Sequence, residues 1–173
     1  MIHVALEREW EPAMTEQGFW QMAEEAGLCL PIYRGKWVES YLATDGSRLV
    51  CHMTAPDMES VRSFLHQTKT RYVAVWCGEP HSLGLDLLPN VLVERSFDKP
   101  VTLDSIQAIE DAGAQCLEMR SVTFTSTLFS ADKTRMLCLY HAPDAQSVRD
   151  AQQEAGMPLD RVWPCQYLCP PEA

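Results

Sequence analysis

The chain has 173 residues, 46% of them hydrophobic, which is enough for one large or two small domains with modest cores. Its 14 Lys plus Arg against 24 Asp plus Glu leave a net charge of −10, which repels nucleic acid and anionic lipid and excludes polyanion partners. No apolar run approaches the roughly 18 residues of a membrane span, and Met1-Ile2-His3-Val4 lacks the basic-then-apolar layout of a signal peptide, so a cytoplasmic protein with no membrane partner is expected.

In chain order, Val4 to Arg8 reads as a short strand, and Thr15 then caps a first helix that carries Phe19, Met22 and Ala26 at helical spacing. Two strands follow, joined at Thr44-Asp45-Gly46-Ser47, where Asp-Gly suggests a type I′ hairpin. Ala55-Pro56-Asp57 ends the third strand and caps a second helix whose buried stripe is Met58, Val61 and Leu65. A last strand holds Val73, Val75 and Trp76.

The same string then recurs at an offset of 87 with no gap. Glu7-Arg8 matches Glu94-Arg95, Thr15 matches Thr102, Cys29-Leu30 matches Cys116-Leu117, and Ala55-Pro56-Asp57 matches Ala142-Pro143-Asp144. Val75-Trp76 and Val162-Trp163 close the pairing, with 17 identities over the 73 positions from Val4 to Trp76. The second copy has its first strand around Val91 to Arg95 and helical positions at Ile106, Ile109 and Gly113. Its second stripe is Ala145, Val148 and Ala155.

This is βαββαβ twice, an α+β chain of two ferredoxin-like repeats. Each repeat leaves one sheet face open, so the expected arrangement packs the repeats sheet to sheet as an internal pseudo-dimer, α+β barrel-like. The expected boundaries are repeat 1 over 1–77, a linker over 78–89 and repeat 2 over 90–173. Leu83, Leu85, Leu87 and Leu88 suggest a linker packed against the body.

Three stretches of the second copy carry a family likeness. They are Val93-Glu94-Arg95, Cys138-Leu139-Tyr140-His141-Ala142-Pro143-Asp144, and Ala155-Gly156-Met157-Pro158-Leu159-Asp160-Arg161-Val162. In them the chain resembles a family of small ferredoxin-like domains whose characterised type is a nickel-binding protein. The resemblance implies a unit that pairs with another and takes a divalent metal such as nickel, or a small ligand. Because members pair as separate chains, it also implies self-association met internally, with further oligomerisation left open.

Strand alternation puts Val4 and Leu6 on one face and Glu7 on the other, as it does Val91 and Val93 against Glu94. If the apolar set meets the helices, Glu7 and Glu94 face the cleft between the sheets, where a carboxylate needs a cation, a metal or a proton. An ion pair with Arg8, Arg48, Arg95 or Arg135 is the plainer alternative. His52 can share a face with Glu39 and Glu7, so the metal candidates are Glu7, Glu39 and His52. Copy two has Ser126 and Leu139 at the places of Glu39 and His52, so any site is one-sided.

Trp76 and Trp163 read as core or interface packing, or with Glu7 and Glu94 as the wall of a ligand pocket. His141 reads as an ordinary surface histidine, and Cys165-x-x-x-Cys169 as thiols in an irregular tail. The seven cysteines include no pair two residues apart and read as buried thiols. No phosphate loop, Gly-x-Ser-x-Gly elbow or His-Glu-x-x-His helix is present. The readings that stand are a binding protein for a divalent metal or small ligand, a cofactor-independent enzyme of the dimeric α+β barrel type (oxygenase or isomerase-like, with Glu7 or His52 as proton acceptor), and an interaction module with no pocket.

Overall fold

The computed structural model describes residues 1–170 and divides the chain into two compact units. The first is Met1–Gly78 joined by the stretch from Tyr167, and the second is Glu79–Gln166. Residues 171–173, the end of the expected second repeat, lie outside the described residues.

Unit 1 runs β1 (Ile2–Glu9), α1 (Glu16–Cys29), β2 (Lys36–Ala43), β3 (Arg48–Ala55), α2 (Met58–Gln67) and β4 (Ala74–Ser82), with a one-turn helix, Leu30–Tyr33, between α1 and β2. Unit 2 runs β5 (Val91–Ser96), α3 (Leu103–Met119), β6 (Thr123–Ser130), β7 (Arg135–His141), α4 (Ala145–Glu154) and β8 (Arg161–Leu168). The strand orders are β4-β1-β3-β2 and β8-β5-β7-β6, all antiparallel. Both are ferredoxin-like, and the fold class is α+β with two such units. Residues 78–82, expected in the linker, are the end of β4, and its last residues, from Glu79, are part of unit 2.

The expected helix starts are present in both units. Thr15 accepts from Gly18 N and Thr102 from Ser105 N, while Asp57 and Asp144 accept from Ser60 N and Ser147 N with the same extended backbone. Each fills an orphan donor of a first turn.

The β2–β3 turn is not the expected type I′ hairpin, which needs positive φ at both central residues. Only Gly46 is positive, at 73°, and its counterpart Lys133 is at 62°. Gly46 N donates to Ala43 O and Lys133 N to Ser130 O, so both units use a wider turn with one left-handed residue. The Asp45 and Asp132 carboxylates accept from Ser47 N and Thr134 N, bonds that span the left-handed residue and hold its two neighbours.

Alternation works as predicted in β1 and β5. Val4 and Leu6 pack with Met53, Val61, Phe64 and Leu65 beneath the helices of unit 1, and Val91 and Val93 pack with Ile106, Tyr140 and Val148 in unit 2. In α4 the buried positions are Val148, Ala151 and Gln152, whereas Ala155 is the C-cap. The linker leucines do not pack against the body: Leu83, Leu85, Leu87 and Leu88 are 40–66% exposed. Leu83 is tied by its backbone N–H to Thr125 O instead, so its position needs no side-chain burial.

No helix among the described residues is long and apolar enough to cross a membrane. All seven cysteines are free. Cys165 is buried, which pushes its thiol up to about 12, and Cys169 is exposed.

Candidate functional site: a histidine relay on the helix-free face of unit 1

The pairing of β2 with β3 decides which side chains meet on this face. Trp37 stands opposite Met53, the register then shifts, and Glu39 stands opposite His52. Counted back from the hairpin, Leu42, Tyr41, Ser40 and Glu39 pair in unbroken register with Leu49, Val50, Cys51 and His52, which sets Glu39 on the helix-free side beside His52; the extra residue comes before it and turns Trp37 away from that face into the aromatic cluster under α1. Unit 2 has the same bulge between Phe124 and Ser126, but there it delivers Ser126 opposite Leu139.

The result is a chain of polar groups. Glu39 Oε1 lies 3.0 Å from His52 Nδ1, and His52 Nε2 lies 2.9 Å from Nδ1 of His3. The two imidazole rings are 5.1 Å apart and tilted by 38°. Tyr41 and Tyr167 also hydrogen-bond the Glu39 carboxylate, and their rings are 5.9 Å apart. Tyr167 belongs to unit 1 although it lies near the end of β8.

His52 is buried, its Nδ1 hydrogen-bonds Glu39 and its Nε2 hydrogen-bonds His3 Nδ1, so the ring is held from both sides. Burial is the largest influence on Glu39 and opposes its ionisation, but hydrogen bonds from His52 and Tyr41, the His52 charge and the Tyr167 hydroxyl together hold it below the ordinary carboxylate range. His3 is held below its ordinary 6.5, first by lost solvation and then by His52. Tyr167 is pushed up by burial and by Glu39. The relay at neutral pH is therefore one carboxylate anion followed by a buried imidazole and a neutral one.

Of the three side chains expected to form a metal set, Glu39 and His52 are brought together and Glu7 is not. The indole Nε1 of Trp76 donates to Glu7 Oε1 at 2.5 Å. In unit 2 the Trp163 indole donates to Glu94 Oε1 at 2.8 Å, and Arg161 lies 3.6 Å from Oε2. The four residues expected to line a ligand pocket thus form two matching Glu–Trp pairs. His141 Nδ1 lies 2.9 Å from Leu88 O.

His3 completes the relay and was missed in the sequence, although a signal was there: it lies on the Glu7 side of β1, two residues before Ala5, which pairs with His52.

Among the described residues no three His, Cys, Asp or Glu side chains gather as a metal-holding cluster. The donors that fit an ion are the two imidazole nitrogens. Adjacent nitrogens on one ion, each at about 2.1 Å, stand about 3.0 Å apart at right angles and about 3.4 Å apart in a tetrahedral site. The 2.9 Å between His3 Nδ1 and His52 Nε2 is a hydrogen-bond distance, and it brings two imidazole nitrogens close enough that the pair could share one divalent transition-metal ion. Glu39 behind His52 is the orienting carboxylate such a ligand ordinarily has.

The class these features define is a pair of ferredoxin-like units with one polar, histidine-bearing sheet face. Residues 92–165 match the family model described as Nickel responsive protein SCO4226-like, so the match lies within unit 2. A comparison with curated protein sequences gives no match. Among solved structures, the chain is similar to a putative chlorite dismutase, TA0507, at 10% identity and TM-score 0.54, covering 97% of this chain and 94% of that one. It is also similar to the chlorite dismutase of Candidatus Nitrospira defluvii, at 10% identity and TM-score 0.52, covering 98% and 90%. At such identity the likeness is one of fold.

Proposed function

We propose that this chain is a binding protein for a divalent transition metal, nickel by its family likeness, held by His3 and His52 with Glu39 as the orienting carboxylate. The observation that carries the reading is the 2.9 Å separation of two imidazole nitrogens, one of them locked by a carboxylate on its far side. The unit 2 residues matching His3, Glu39 and His52 are Asn90, Ser126 and Leu139, so the family match does not itself supply these donors. We read the two units as copies of one ancestral unit, on the 87-residue offset and the matched caps, turns, bulges and Glu–Trp pairs. One copy then kept or acquired the polar face while its counterpart became apolar.

A bound ion would supply positive charge and open coordination positions for water or a small anionic ligand. The chain's own residues prepare the donors: lost solvation disfavours a second proton on His3, Glu39 orients the His52 ring, and the hydrogen now lying between the two nitrogens would move to His3 Nε2 on binding. Titration calorimetry of the full chain with Ni(II), and native mass spectrometry of the mixture, test the reading. His52→Ala and His3→Ala should each weaken binding at least tenfold, and Glu39→Gln should weaken it by about 10–100-fold. Affinity should fall on acidification because both imidazoles must shed protons to bind. No binding tighter than millimolar, or binding unchanged in His52→Ala, would sink the proposal.

A further inference from the structure

Arg8 and Arg95 stand at matching places in β1 and β5, yet only one of them is satisfied. Arg95 is 2% exposed and donates to Gln152 Oε1 at 2.8 Å, Tyr140 OH at 3.1 Å, Pro158 O at 2.5 Å and Cys138 Sγ at 3.4 Å. At Arg8 the residues matching Gln152 and Tyr140 are Leu65 and Met53, neither of which has an oxygen to offer. The backbone acceptor survives, as Arg8 Nε donates to Arg71 O at 2.9 Å. Otherwise the guanidinium lies 2.6 Å from the Met22 thioether, a weak acceptor, and 4.3 Å over the Trp10 ring. Among the described residues no side-chain oxygen bonds it.

This guanidinium lines a cavity of about 80 Å³ between α1 and the sheet, walled by Phe19, Ala26, Met53 and Phe64 with Cys51 and Ser40 at its floor. Unit 2 closes the space around its own arginine: a pocket of about 220 Å³ beside α3, lined by Ile106, Glu110, Phe124 and Thr127, does not include Arg95 in its lining. Its α3 and α4 approach so tightly that a methyl group on Gly113 would overlap Ala155 Cβ, and Tyr140 and Gln152 fill the interior. The matching residues in unit 1 are Ala26 and Thr68, which are bulkier and cannot approach as closely, and Ala23 replaces Glu110. The Cys51 thiol, pushed up by burial, stays neutral and does not provide the missing anion.

We propose that this cavity is a second binding site, for a small monocarboxylate with a short aliphatic body, whose carboxylate takes the Arg8 guanidinium and whose body lies against Phe19, Ala26 and Met53. An under-bonded guanidinium in an apolar pocket selects a planar anion, because a carboxylate can accept two of its N–H groups at once. The volume sets the size: a dry cavity of about 150 Å³ holds benzene, so one of about half that suits a body of three or four carbons. The site is independent of the histidine relay and of any metal.

The test is calorimetry and amide chemical-shift mapping on the full chain with isovalerate, its isosteric amide isovaleramide, and benzoate. Isovalerate should bind in the millimolar range or tighter and shift the signals of Arg8, Cys51 and Met53, with isovaleramide at least about tenfold weaker. Arg8→Met should lose the same factor, and Ala26→Phe should abolish binding by filling the cavity. Should a variant fail to fold, the acid–amide pair on the wild-type chain decides alone. Equal binding of acid and amide, no shifts up to tens of millimolar, or shifts confined to other residues would overturn the site. Tighter binding of benzoate than of isovalerate would overturn the short aliphatic body.

Discussion

One substitution at two matching arginines separates a structural guanidinium from an available one. Arg95→Met removes the partner of the Tyr140 hydroxyl and the Gln152 amide inside a closed core, and a buried polar group left alone costs about 1–3 kcal/mol. The loss expected in urea unfolding is therefore at least about 3 kcal/mol. Arg8→Met, which strands only one carbonyl at the edge of a cavity, should cost about 1 kcal/mol or less. Equal losses would mean that the two environments differ less than their hydrogen bonds indicate.

The relay makes a second residue-level prediction. Glu39 is depressed in the folded chain, so its stabilisation is complete above its ordinary 4.5 and is lost as pH falls through its folded value. His3 is also depressed, which means that the unfolded chain binds the proton first; its contribution is complete above 6.5 and is lost on acidification below that. Both signs point the same way. Stability measured by urea unfolding should drop from pH 7 towards pH 4, and Glu39→Gln should make the acid end of that slope shallower. An unchanged slope in the variant would remove Glu39 from the account.

At the scale of elements, the helix starts were readable because a cap is a local device: Asp57 and Asp144 need only their own backbone and the N–H three residues on. Asp57→Ala and Asp144→Ala should each cost about 1 kcal/mol in thermal unfolding, by the same amount in both units. The β2–β3 turn was not readable, since Asp-Gly is compatible with two turn types and a non-local contact chooses between them. At Gly46 a side chain would overlap Met14 O, at a φ of 73° that already disfavours one. Gly46→Ala should cost 2 kcal/mol or more, roughly the sum of a left-handed penalty and a steric shift. Lys133, at the matching place, tolerates the same backbone. The bulges were invisible for a similar reason: nothing in Trp37-Val38-Glu39 announces an extra residue, yet it sets which face Trp37 takes.

At the scale of the molecule, the ends of two strands belong to a different unit from their beginnings. Leu168, the last residue of β8, is buried with Phe19, Leu42 and Leu49 of unit 1. Leu168→Ala should therefore cost about 2–5 kcal/mol, as for any large-to-small change in a core. A fragment ending at residue 77 lacks this leucine and should unfold at lower denaturant than the full chain. A fragment as stable as the whole would show that Leu168 is dispensable.

The sequence alone determined the element order, the caps and the apolar faces of β1 and β5, because each follows from a local period or a contact within a few residues. It also pointed to Glu39 and His52, since alternation places them on one side once their strands are paired. Tertiary structure decided the rest. The pairing of β4 with β1 and of β8 with β5 brought Trp76 and Trp163 to Glu7 and Glu94, the pairing of β1 with β3 brought His3 to His52, and β8 carried Tyr167 to Glu39. These are contacts between residues as much as 128 positions apart, where strand register, rather than any local pattern, determines which side chains touch.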